Sequence, residues 1–485
     1  MSERQPLLPG TPLSERAAFK PRRSSSAMSI NQSDRFMALG DVPSSPMDGR
    51  DAAQFNAAVA EGKGTIVTST FNLSNAILGS GLLALPYACA HAGVSLFVTL
   101  LAMCGLVAFV GLRLILVLCN MTGTTNYEDL GHRAFGPKGT VLISMTILLQ
   151  NLSGVTSYLV IVVDVMPPVF HRFGVHPDSL LGNSTFLVCM ITLLVIFPLC
   201  LVREIRWLAP ASLFSILAMS SFIVVVIWRH SAEPTLEHAG QVEWGFAPDA
   251  QLFFSMSSIA FSFVCHTALM PVASEMHNAT VGRMSVVSGV SIISCMTLYL
   301  LAALFGYLTF VDDTNGDVLV NYPKSDPHHL VIDIVRLAFA MAIIATIALV
   351  MFPARRAMRF ILLGTGDARG LLHVLRDVVT RSEGPISRDT GYFYHISVTA
   401  AILGGVLGLA LTLKNIEVVF GLLGSISAPM LMLIWPCLLY LKVAPGTLFT
   451  PKKLLAVCGA LLGLSFIIAC ETGVILHVAK HGISS

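Results

Sequence analysis

Blocks of apolar residues divide most of the chain into long segments that short polar stretches separate. A segment of about 20 apolar residues is long enough to cross the hydrocarbon core of a bilayer as an α-helix. Eleven such segments follow a polar stretch of 63 residues. Their approximate limits are 65–89, 93–119, 139–166, 185–202, 208–228, 250–275, 284–310, 329–352, 393–413, 415–441 and 454–478. The pattern predicts an all-α polytopic membrane protein with eleven spans.

Composition agrees with this pattern. Of the 485 residues, 54% are hydrophobic and only 12% are charged, and the mean hydropathy is +0.75; soluble domains carry about 25% charged residues. We therefore expect residues 64–480 to form one membrane domain whose surroundings are the lipid bilayer. The net charge of +2 gives no reason to expect a nucleic-acid partner. No phosphate-binding loop, metal-ligand cluster or nucleophile constellation occurs, so we expect neither enzyme activity nor a cofactor.

The first 63 residues are polar, rich in Ser, Pro and Arg, and contain no apolar core of a signal peptide. We expect a disordered cytosolic tail. Within it, Glu3 precedes the pair Leu7 and Leu8 by four residues, as in an acidic dileucine sorting signal. This pattern favours clathrin-adaptor complexes as partners and an endolysosomal or vacuolar membrane over the cell surface, although short patterns also arise by chance.

The distribution of Lys and Arg predicts the orientation of the chain. With the N-terminus inside, 23 Lys and Arg lie in the inner tails and loops and five in the outer ones. Positive loops stay on the cytosolic side of a membrane, so we expect a cytosolic N-terminus and an outside or lumenal C-terminus. Asn183, in the sequon Asn-Ser-Thr, then falls in an outer loop and is a glycosylation candidate.

The first span is apolar but poorly suited to a continuous helix. Gly79, Ser80 and Gly81 interrupt it, and Pro86 follows. A broken membrane helix exposes backbone polar groups, which is tolerated where they line a cavity or bind a ligand. The sequence therefore predicts a ligand site in this span.

The number of spans suggests an internal repeat. Spans one to five, about 64–229, and six to ten, about 250–441, can form two five-helix units of opposite orientation, with the segment at about 454–478 as an extra helix. In inverted repeats the first helix of each unit is discontinuous, so we expect a second break between Ser255 and Pro271. The alternative is that the Ser and Thr hydroxyls there bond back to their own helix.

Six motifs follow one another in the order found in a known family. They are Phe71–Pro86, Tyr127–Gly131 with Ala134–Gly136, Phe261–His266 with Pro271 and Glu275, Gly306–Phe310, Phe352-Pro353 with Arg355, and Gly421–Ser425. On these residues the chain resembles the amino acid/auxin permease family, most closely its sodium-coupled neutral amino acid transporters. The short outer loop at 229–249 has no cysteine, unlike that of many relatives, and leaves the subfamily open.

The resemblance implies the leucine-transporter-like 5+5 inverted repeat with an eleventh transmembrane helix. It also implies a secondary active transporter of neutral amino acids, coupled to Na⁺ or H⁺, with alternating access around a midplane site between helices one and six. Two alternatives are an amino-acid sensor that signals through its N-terminal tail and an uncoupled amino acid permease.

The resemblance also assigns site residues. The ion site would comprise the carbonyls of Ser74 and Ile77, the side chain of Asn75 and the hydroxyl of Thr346. The substrate carboxylate would meet the amides around Gly79, Ser80 and Gly81, and the amine would meet carbonyls near Ser258 to Ser262. Tyr158 would be a gate or hydroxyl donor, with simple packing as its alternative. For Thr346 the alternative is a hydroxyl bonded back to its own helix.

Ionisable residues also occur at two places within the apolar spans. His266, in span six, could carry a proton, because histidine titrates near physiological pH, or it could be a neutral helix residue. Asp333 and Arg336 lie one turn apart near the outer end of span eight. This spacing predicts a structural ion pair.

Overall fold

The computed structural model describes residues 62–176, 178–202, 209–232, 242–247, 249, 251–322, 329–363, 388–413 and 415–481. Most of the predicted tail, with the sorting residues Glu3, Leu7 and Leu8, lies outside these residues, so the predictions made for it stay predictions.

The described residues form thirteen α-helices, several with a π-helical or kinked turn inside. They are α1 (Ile66–Ile77), α2 (Gly81–Ala92), α3 (Val94–Thr122), α4 (Tyr127–Arg172), α5 (Ser184–Cys200), α6 (Ala209–Ala232), α7 (Leu252–Ser262), α8 (Leu269–Glu275), α9 (Val281–Phe310), α10 (His329–Leu363), α11 (Arg388–Thr412), α12 (Ile416–Val443) and α13 (Pro451–His481).

Eight helices are long and apolar enough to cross a membrane, and α1 with α2 forms a ninth span that is bent by 59°. The chain is therefore a polytopic α-helical membrane protein. The predicted fourth and sixth spans correspond to shorter helices, α5 and α7. In α5 the turn Thr192–Ile196 is π-helical and leads directly to Pro198, which cannot donate a backbone hydrogen bond.

The chain breaks at both predicted places. Thr65 caps the start of α1, where its hydroxyl accepts a bond of 3.2 Å from the Thr68 amide. Leu78 is extended and ends α1, and α2 begins at Gly81. The second interruption lies between α7 and α8, at residues 263–268. Since α7 packs against α2, the two breaks lie side by side.

The other helices enclose this pair. α10 packs against α4 and α6, α9 packs against α1, α2 and α3, and α13 packs against α12. Large side chains fill the interior, among them Phe97, Tyr299, Phe339 and Phe420, all fully buried. Many apolar side chains on the outer faces are exposed, as is expected for surfaces in contact with lipid.

The two ends of the bundle differ in charge. At one end, called the basic end below, ten cations outnumber the carboxylates Glu128, Asp129 and Glu275; the cations are Lys63, Arg133, Lys138, Arg283, Arg355, Arg356, Arg359, Lys442, Lys452 and Lys453. At the other, called the acidic end, carboxylates outnumber cations such as Arg172, Arg229 and Arg336; the carboxylates include Asp178, Glu243, Asp249, Asp313, Asp317, Asp333 and Glu417.

A short backbone pairing ties α1 to α8 at the basic end. Residues 62–65, called the strap below, run beside the end of α8. The Gly64 amide donates to the Glu275 carbonyl (2.8 Å), and the Gly64 carbonyl accepts from the His277 amide (2.9 Å). A Cβ on Gly64 would lie 2.9 Å from the Glu275 carbonyl oxygen, so only glycine allows this approach.

At the acidic end, residues 311–322 cover the bundle as a loop, called the cover loop below. The Arg336 guanidinium holds it by donating to the carbonyls of Leu319 (2.8 Å) and Tyr322 (3.0 Å). Arg336 also pairs with Asp333 at 3.1 Å, which confirms the predicted ion pair. Arg172 of α4 reaches the same carboxylate at 3.2 Å. The cover loop is thus fixed to α10, and α10 to α4.

Candidate functional site

A cavity of about 520 Å³ lies where the two broken helices meet. It is bordered by residues 79–81 at the start of α2, by residues 264–268 between α7 and α8, by Tyr158 of α4 and by Thr346 of α10. From there it extends towards the basic end. This places the predicted substrate and ion residues of four separate elements around one space.

The cavity opens at the basic end. Its lining includes Asn72 and Glu275, which are bonded to each other at 3.3 Å, and Glu275 is exposed. Towards the acidic end the path is filled. Phe261 stacks on Phe420 with ring centroids 4.6 Å apart, and Tyr158 is only 8% exposed. Within the part of the chain that the structure describes, the cavity is therefore open towards the basic end and filled towards the acidic end.

Two glycines allow the start of α2 to approach its neighbours. A Cβ on Gly79 would lie 2.5 Å from the Tyr158 hydroxyl, and one on Gly81 would overlap the Ser262 side chain. The first amides of a helix have no partner inside that helix. Here the amides of residues 79–81 therefore present hydrogen-bond donors and the positive end of the α2 dipole at the cavity.

The side chain of Ser80 is bonded away from the cavity. Its hydroxyl is 1% exposed and bonds to the Ser157 hydroxyl at 2.8 Å, while Ser157 donates to the Gly154 carbonyl at 2.8 Å. Because the Ser157 hydrogen is used by Gly154, Ser80 donates to Ser157. The side chain fixes α2 to α4 and leaves the backbone to face the cavity.

The predicted ion residues divide into two groups. Asn75 and Thr346 both line the cavity and are 4% exposed. The Asn75 Oδ1 accepts no hydrogen bond from a described residue, and the Thr346 hydroxyl donates to the Ala342 carbonyl at 2.8 Å. Thr346 thus bonds back to its own helix, yet its oxygen keeps lone pairs for a cation.

The two predicted ion-binding carbonyls are already bonded. The Ser74 carbonyl accepts from the Leu78 amide at 2.8 Å and from the Cys295 thiol at 3.7 Å, and Ser74 does not line the cavity. The Ile77 carbonyl accepts from the Tyr299 hydroxyl at 2.6 Å. The Ser74 carbonyl has both lone pairs engaged, so a cation there would have to displace a donor, whereas the Ile77 carbonyl keeps one lone pair.

Tyr299 joins the two breaks and was missed in the sequence analysis. Its fully buried hydroxyl lies 2.6 Å from the Ile77 carbonyl at the end of α1 and 3.0 Å from the Ser262 carbonyl at the end of α7. One hydroxyl hydrogen is therefore shared between the carbonyls at the ends of two helices. The residue lies 222 positions from Ile77 in the chain, and no local motif marks it.

The predicted residues of α7 lie in different places. Ser262 lines the cavity, whereas Ser258 does not. The Ser262 hydroxyl donates to the Ser258 carbonyl at 2.7 Å, so this pair bonds within its own helix, as the alternative interpretation of span six holds. The break after Ser262 is nevertheless present.

His266 lies in the non-helical stretch between α7 and α8 and lines the cavity. It is 1% exposed, and its ring lies next to the Ala108 backbone of α3. A Cβ on Gly111 of α3 would lie 2.8 Å from Nε2. The ring therefore fills the space that the missing side chain of Gly111 leaves.

The mouth of the cavity carries charges that the sequence analysis did not single out. Arg356 of α10 donates to the Asn126 side-chain oxygen at 2.6 Å and lies 3.4 Å from the Glu128 carboxylate and 3.9 Å from that of Asp129. These residues join α10 to the start of α4. The two carboxylates lie within a motif quoted above, and Asn126 and Arg356 each adjoin one, but only the fold brings the four residues together at the mouth.

Asn183 lies apart from the cavity, near the acidic end. It is exposed and caps α5, where its side-chain oxygen accepts from the Phe186 amide at 3.2 Å.

Two broken helices that meet at a cavity within a bundle of membrane helices are the arrangement of a membrane transporter. Comparison with known sequences identifies which kind. The chain belongs to the family described as transmembrane amino acid transporter protein, whose family model matches residues 62–476. The sodium-coupled neutral amino acid symporter 2 of Danio rerio is 30% identical over 456 residues, which cover 89% of this chain and 86% of that protein. The resemblance predicted from the six motifs is confirmed, and the protein is a transporter and not an enzyme.

Proposed function

We propose that the protein is a secondary active transporter of neutral amino acids, coupled to Na⁺ or H⁺, which works by alternating access between two inverted repeats. The observation that carries this proposal is the cavity of about 520 Å³ at the meeting point of the two breaks. Its volume suits a small zwitterion, and its walls offer both amide donors and carbonyl acceptors. The name of the Danio rerio relative, a neutral amino acid symporter, supports the same substrate class.

The substrate carboxylate would bind at the start of α2. The amides at residues 79–81 line the cavity, and the helix dipole favours an anion at that end. The α-ammonium group would lie towards the last carbonyls of α7, next to Ser262, where the dipole favours a cation. Because these backbone groups bind what all amino acids share, selection among side chains falls to the apolar lining, which includes Phe261, Val264 and Leu349.

A coupling cation would bind between α1 and α10. Asn75 Oδ1 is a buried oxygen without a donor, and the Thr346 oxygen lines the same cavity. Oxygen atoms of amides and hydroxyls suit Na⁺, which is a hard cation. If the coupling ion is H⁺ and not Na⁺, His266, which is buried at the same cavity, would bind it.

The conformation described above, with its cavity open at the basic end, would be the cytosol-facing state of the transporter. Positive loops remain cytosolic, so the basic end, where the cavity opens, would face the cytosol. Alternating access requires that the filled path through Tyr158, Phe261 and Phe420 opens when the mouth at Arg356 closes. The dileucine signal at Glu3, Leu7 and Leu8 would direct the protein to an endolysosomal or vacuolar membrane through clathrin adaptors.

Uptake into liposomes tests this proposal. The purified full-length chain is reconstituted, and a panel of labelled amino acids is offered under Na⁺ and H⁺ gradients imposed separately. We expect neutral amino acids to accumulate above equilibrium with one of the two gradients. Equilibration without accumulation under either gradient would show an uncoupled permease instead.

Asn75→Ala tests the cation site in the same assay. Loss of a charge-assisted contact costs about 1.5–3 kcal/mol, so the apparent affinity for the coupling cation should fall roughly 10- to 100-fold. Ser69→Ala, which removes a buried hydroxyl of α1 outside this cavity, is the matched control and should keep the wild-type ion dependence. Unchanged ion dependence in Asn75→Ala would contradict the assignment.

A further inference from the structure

Three carboxylates from three separate elements come together at the acidic end. They are Asp164 of α4, Asp317 of the cover loop and Glu417 in the first turn of α12, called the carboxylate cluster below. The first turn of α12, which carries Glu417, packs against α4, which carries Asp164, and the three groups are close enough for their charges to interact. A Cβ on Gly316 would overlap the Glu417 carboxylate, so α12 touches the cover loop directly.

Asp317 is the most deeply buried of the three carboxylates, with 4% exposure. Its Oδ1 accepts from the Leu319 amide at 2.9 Å, whereas its buried Oδ2 has no donor among the described residues. An ionised carboxylate oxygen without a donor is costly inside a protein, and a bound proton removes that cost.

Burial is the main cause that raises the pKa of Asp317, to about 7. The Leu319 amide and the Arg336 charge act in the opposite direction, and the Glu417 charge raises the pKa further. A carboxyl group in this environment can gain and lose a proton near neutral pH.

Two described cations at this end, Arg336 and Arg172, are directed at other partners. Arg336 pairs with Asp333 and holds two carbonyls of the cover loop, and Arg172 also pairs with Asp333. Arg336 therefore only partly offsets the charge of the cluster. Other titratable groups at this end of the surrounding elements include Tyr87, His91, His171, Arg229, His230, Glu243, Asp249, Tyr307, Asp313 and Tyr322. His91 is bonded to Asp249 at 2.5 Å, and the Tyr307 hydroxyl accepts from the Glu243 amide at 3.0 Å.

The cluster depends on closure of the acidic end. The cover loop lies on α2, where the Val318 amide contacts the Leu83 carbonyl at 3.4 Å. α4 carries Tyr158 and α12 carries Phe420, two of the side chains that fill the path to the cavity. If that path opens, these elements separate, and the three carboxylates separate with them.

We propose that Asp164, Asp317 and Glu417 form a proton-binding site that is complete only when the acidic end is closed, so that closure takes up a proton from the solution on that side. The inference rests on the alternating-access function proposed above. It adds a ligand, the proton, and a place for it that is separate from the cavity and from His266.

The direction of the pH effect follows from proton linkage. Bringing carboxylates together and burying them disfavours their charged forms. The closed state then binds the proton more tightly than the open state, and acid on this side favours closure. One linked proton changes the ratio of closed to open molecules by up to about tenfold per pH unit.

A distance measurement across the acidic end tests the proposal without substrate. Spin labels are placed on cysteines at Val320 of the cover loop and Phe173 after α4, both exposed, in full-length protein in lipid nanodiscs. Cys458, the exposed native cysteine, is replaced by serine. Electron paramagnetic resonance then gives the distance distribution from about pH 5 to about pH 9. We expect the short, closed distance to gain population as the pH falls, with a midpoint near neutral pH.

Neutral variants separate the cluster from other titrating groups. Asp317→Asn and Glu417→Gln imitate the protonated form and should remain closed at every pH, with loss of the pH response. Asp317→Glu should keep the response. Asp178→Asn, which removes a carboxylate of the same end that is 92% exposed and paired with His176, is the matched control and should titrate like the wild type.

Several outcomes would overturn the proposal. A wild-type distance that does not change with pH would do so, as would an unchanged titration in both neutral variants. A distance that responds to Na⁺ at constant pH but not to pH would assign the cluster to a metal cation instead. Because no amino acid is present, failure of uptake in liposomes with an intact pH titration would count against the proposed function alone.

Discussion

Gly79 shows how closely α2 approaches α4. A methyl group at this position would lie 2.5 Å from the Tyr158 hydroxyl and 3.4 Å from the nearest ring carbons. We therefore expect Gly79→Ala to displace either α2 or Tyr158, at a cost of about 1–3 kcal/mol for an overpacked contact. Amino acid uptake should fall at least tenfold, because the amides of residues 79–81 move with α2.

The partner substitution makes this prediction specific. Tyr158→Phe removes the hydroxyl that the methyl group meets, so Gly79→Ala with Tyr158→Phe should recover much of the activity lost in Gly79→Ala alone. Gly405→Ala, with open space around it on α11, is the control and should behave like the wild type. Uptake kinetics and thermal unfolding in detergent measure both effects. Strictly additive losses in the double variant would show that the contact is not the cause.

At the level of residues, the sequence predicts those features whose residues are close together along the chain. The interruption at residues 79–81 and the Asp333–Arg336 pair could be predicted because each signal lies within one or two helical turns. Tyr299, Asp317 and Arg356 were missed because their partners lie far away along the chain. A single sequence carries no record of which distant positions meet, so the residue that bonds both breaks looks like any apolar helix residue.

At the level of elements, the strap couples the two broken helices at the basic end. We expect Gly64→Ala to disrupt it, because the added Cβ would lie 2.9 Å from the Glu275 carbonyl oxygen and that neighbour is rigid backbone. The bond from the His277 amide to the Gly64 carbonyl would then be lost. A hydrogen bond of this kind contributes about 0.5–1.5 kcal/mol to stability. Its loss lowers the free energy of local opening by that amount, so exchange of the His277 amide hydrogen should accelerate roughly two- to tenfold.

Hydrogen–deuterium exchange followed by mass spectrometry measures this effect. Gly245→Ala, where a Cβ meets nothing within 4 Å, is the control. The strap prediction is wrong if peptides covering residues 275–277 exchange at the wild-type rate in a folded Gly64→Ala protein.

The limits of a helix could be predicted where they coincide with the ends of an apolar segment. They could not be predicted where a kink or break in the backbone sets them. Span three was expected to begin at about residue 139, but α4 starts at Tyr127 and continues through a kink at Gly136, with φ 66°. Only glycine adopts this backbone conformation readily. Likewise α7 is much shorter than its predicted span, because the helix breaks after Ser262.

At the level of the whole molecule, the charge difference between the ends predicts the orientation. Two exposed sequons test it, because Asn183 lies near the acidic end and Asn278, followed by Ala and Thr, lies at the basic end. Glycosylation occurs on the lumenal side. In protein made by a eukaryotic cell, Asn183→Gln should therefore remove a glycan, while Asn278→Gln, the matched control, should leave the mass unchanged.

Gel mobility before and after glycosidase treatment measures this outcome. Loss of the glycan in Asn278→Gln and not in Asn183→Gln would show the reverse orientation, and the cavity would then face away from the cytosol. Among the described residues, nine of the eleven predicted spans are long and apolar enough to cross a membrane, counting α1 with α2 as one bent span, whereas α5 and α7 are shorter. Hydropathy predicts the nine because it is summed over many residues. Their pairing into two inverted repeats depends on contacts between distant helices, and it stays a prediction.

The hydrogen that Tyr299 shares between the Ile77 and Ser262 carbonyls also has a consequence for the empty carrier. A helix end that waits for a cation carries partial negative charge, and an empty site with bare carbonyls is costly to enclose in a membrane. Here the protein supplies its own donor at both ends, at 2.6 and 3.0 Å. Under the proposed alternating access, we therefore expect the carrier to be able to return without cargo, and so to perform net uptake in addition to exchanging one amino acid for another.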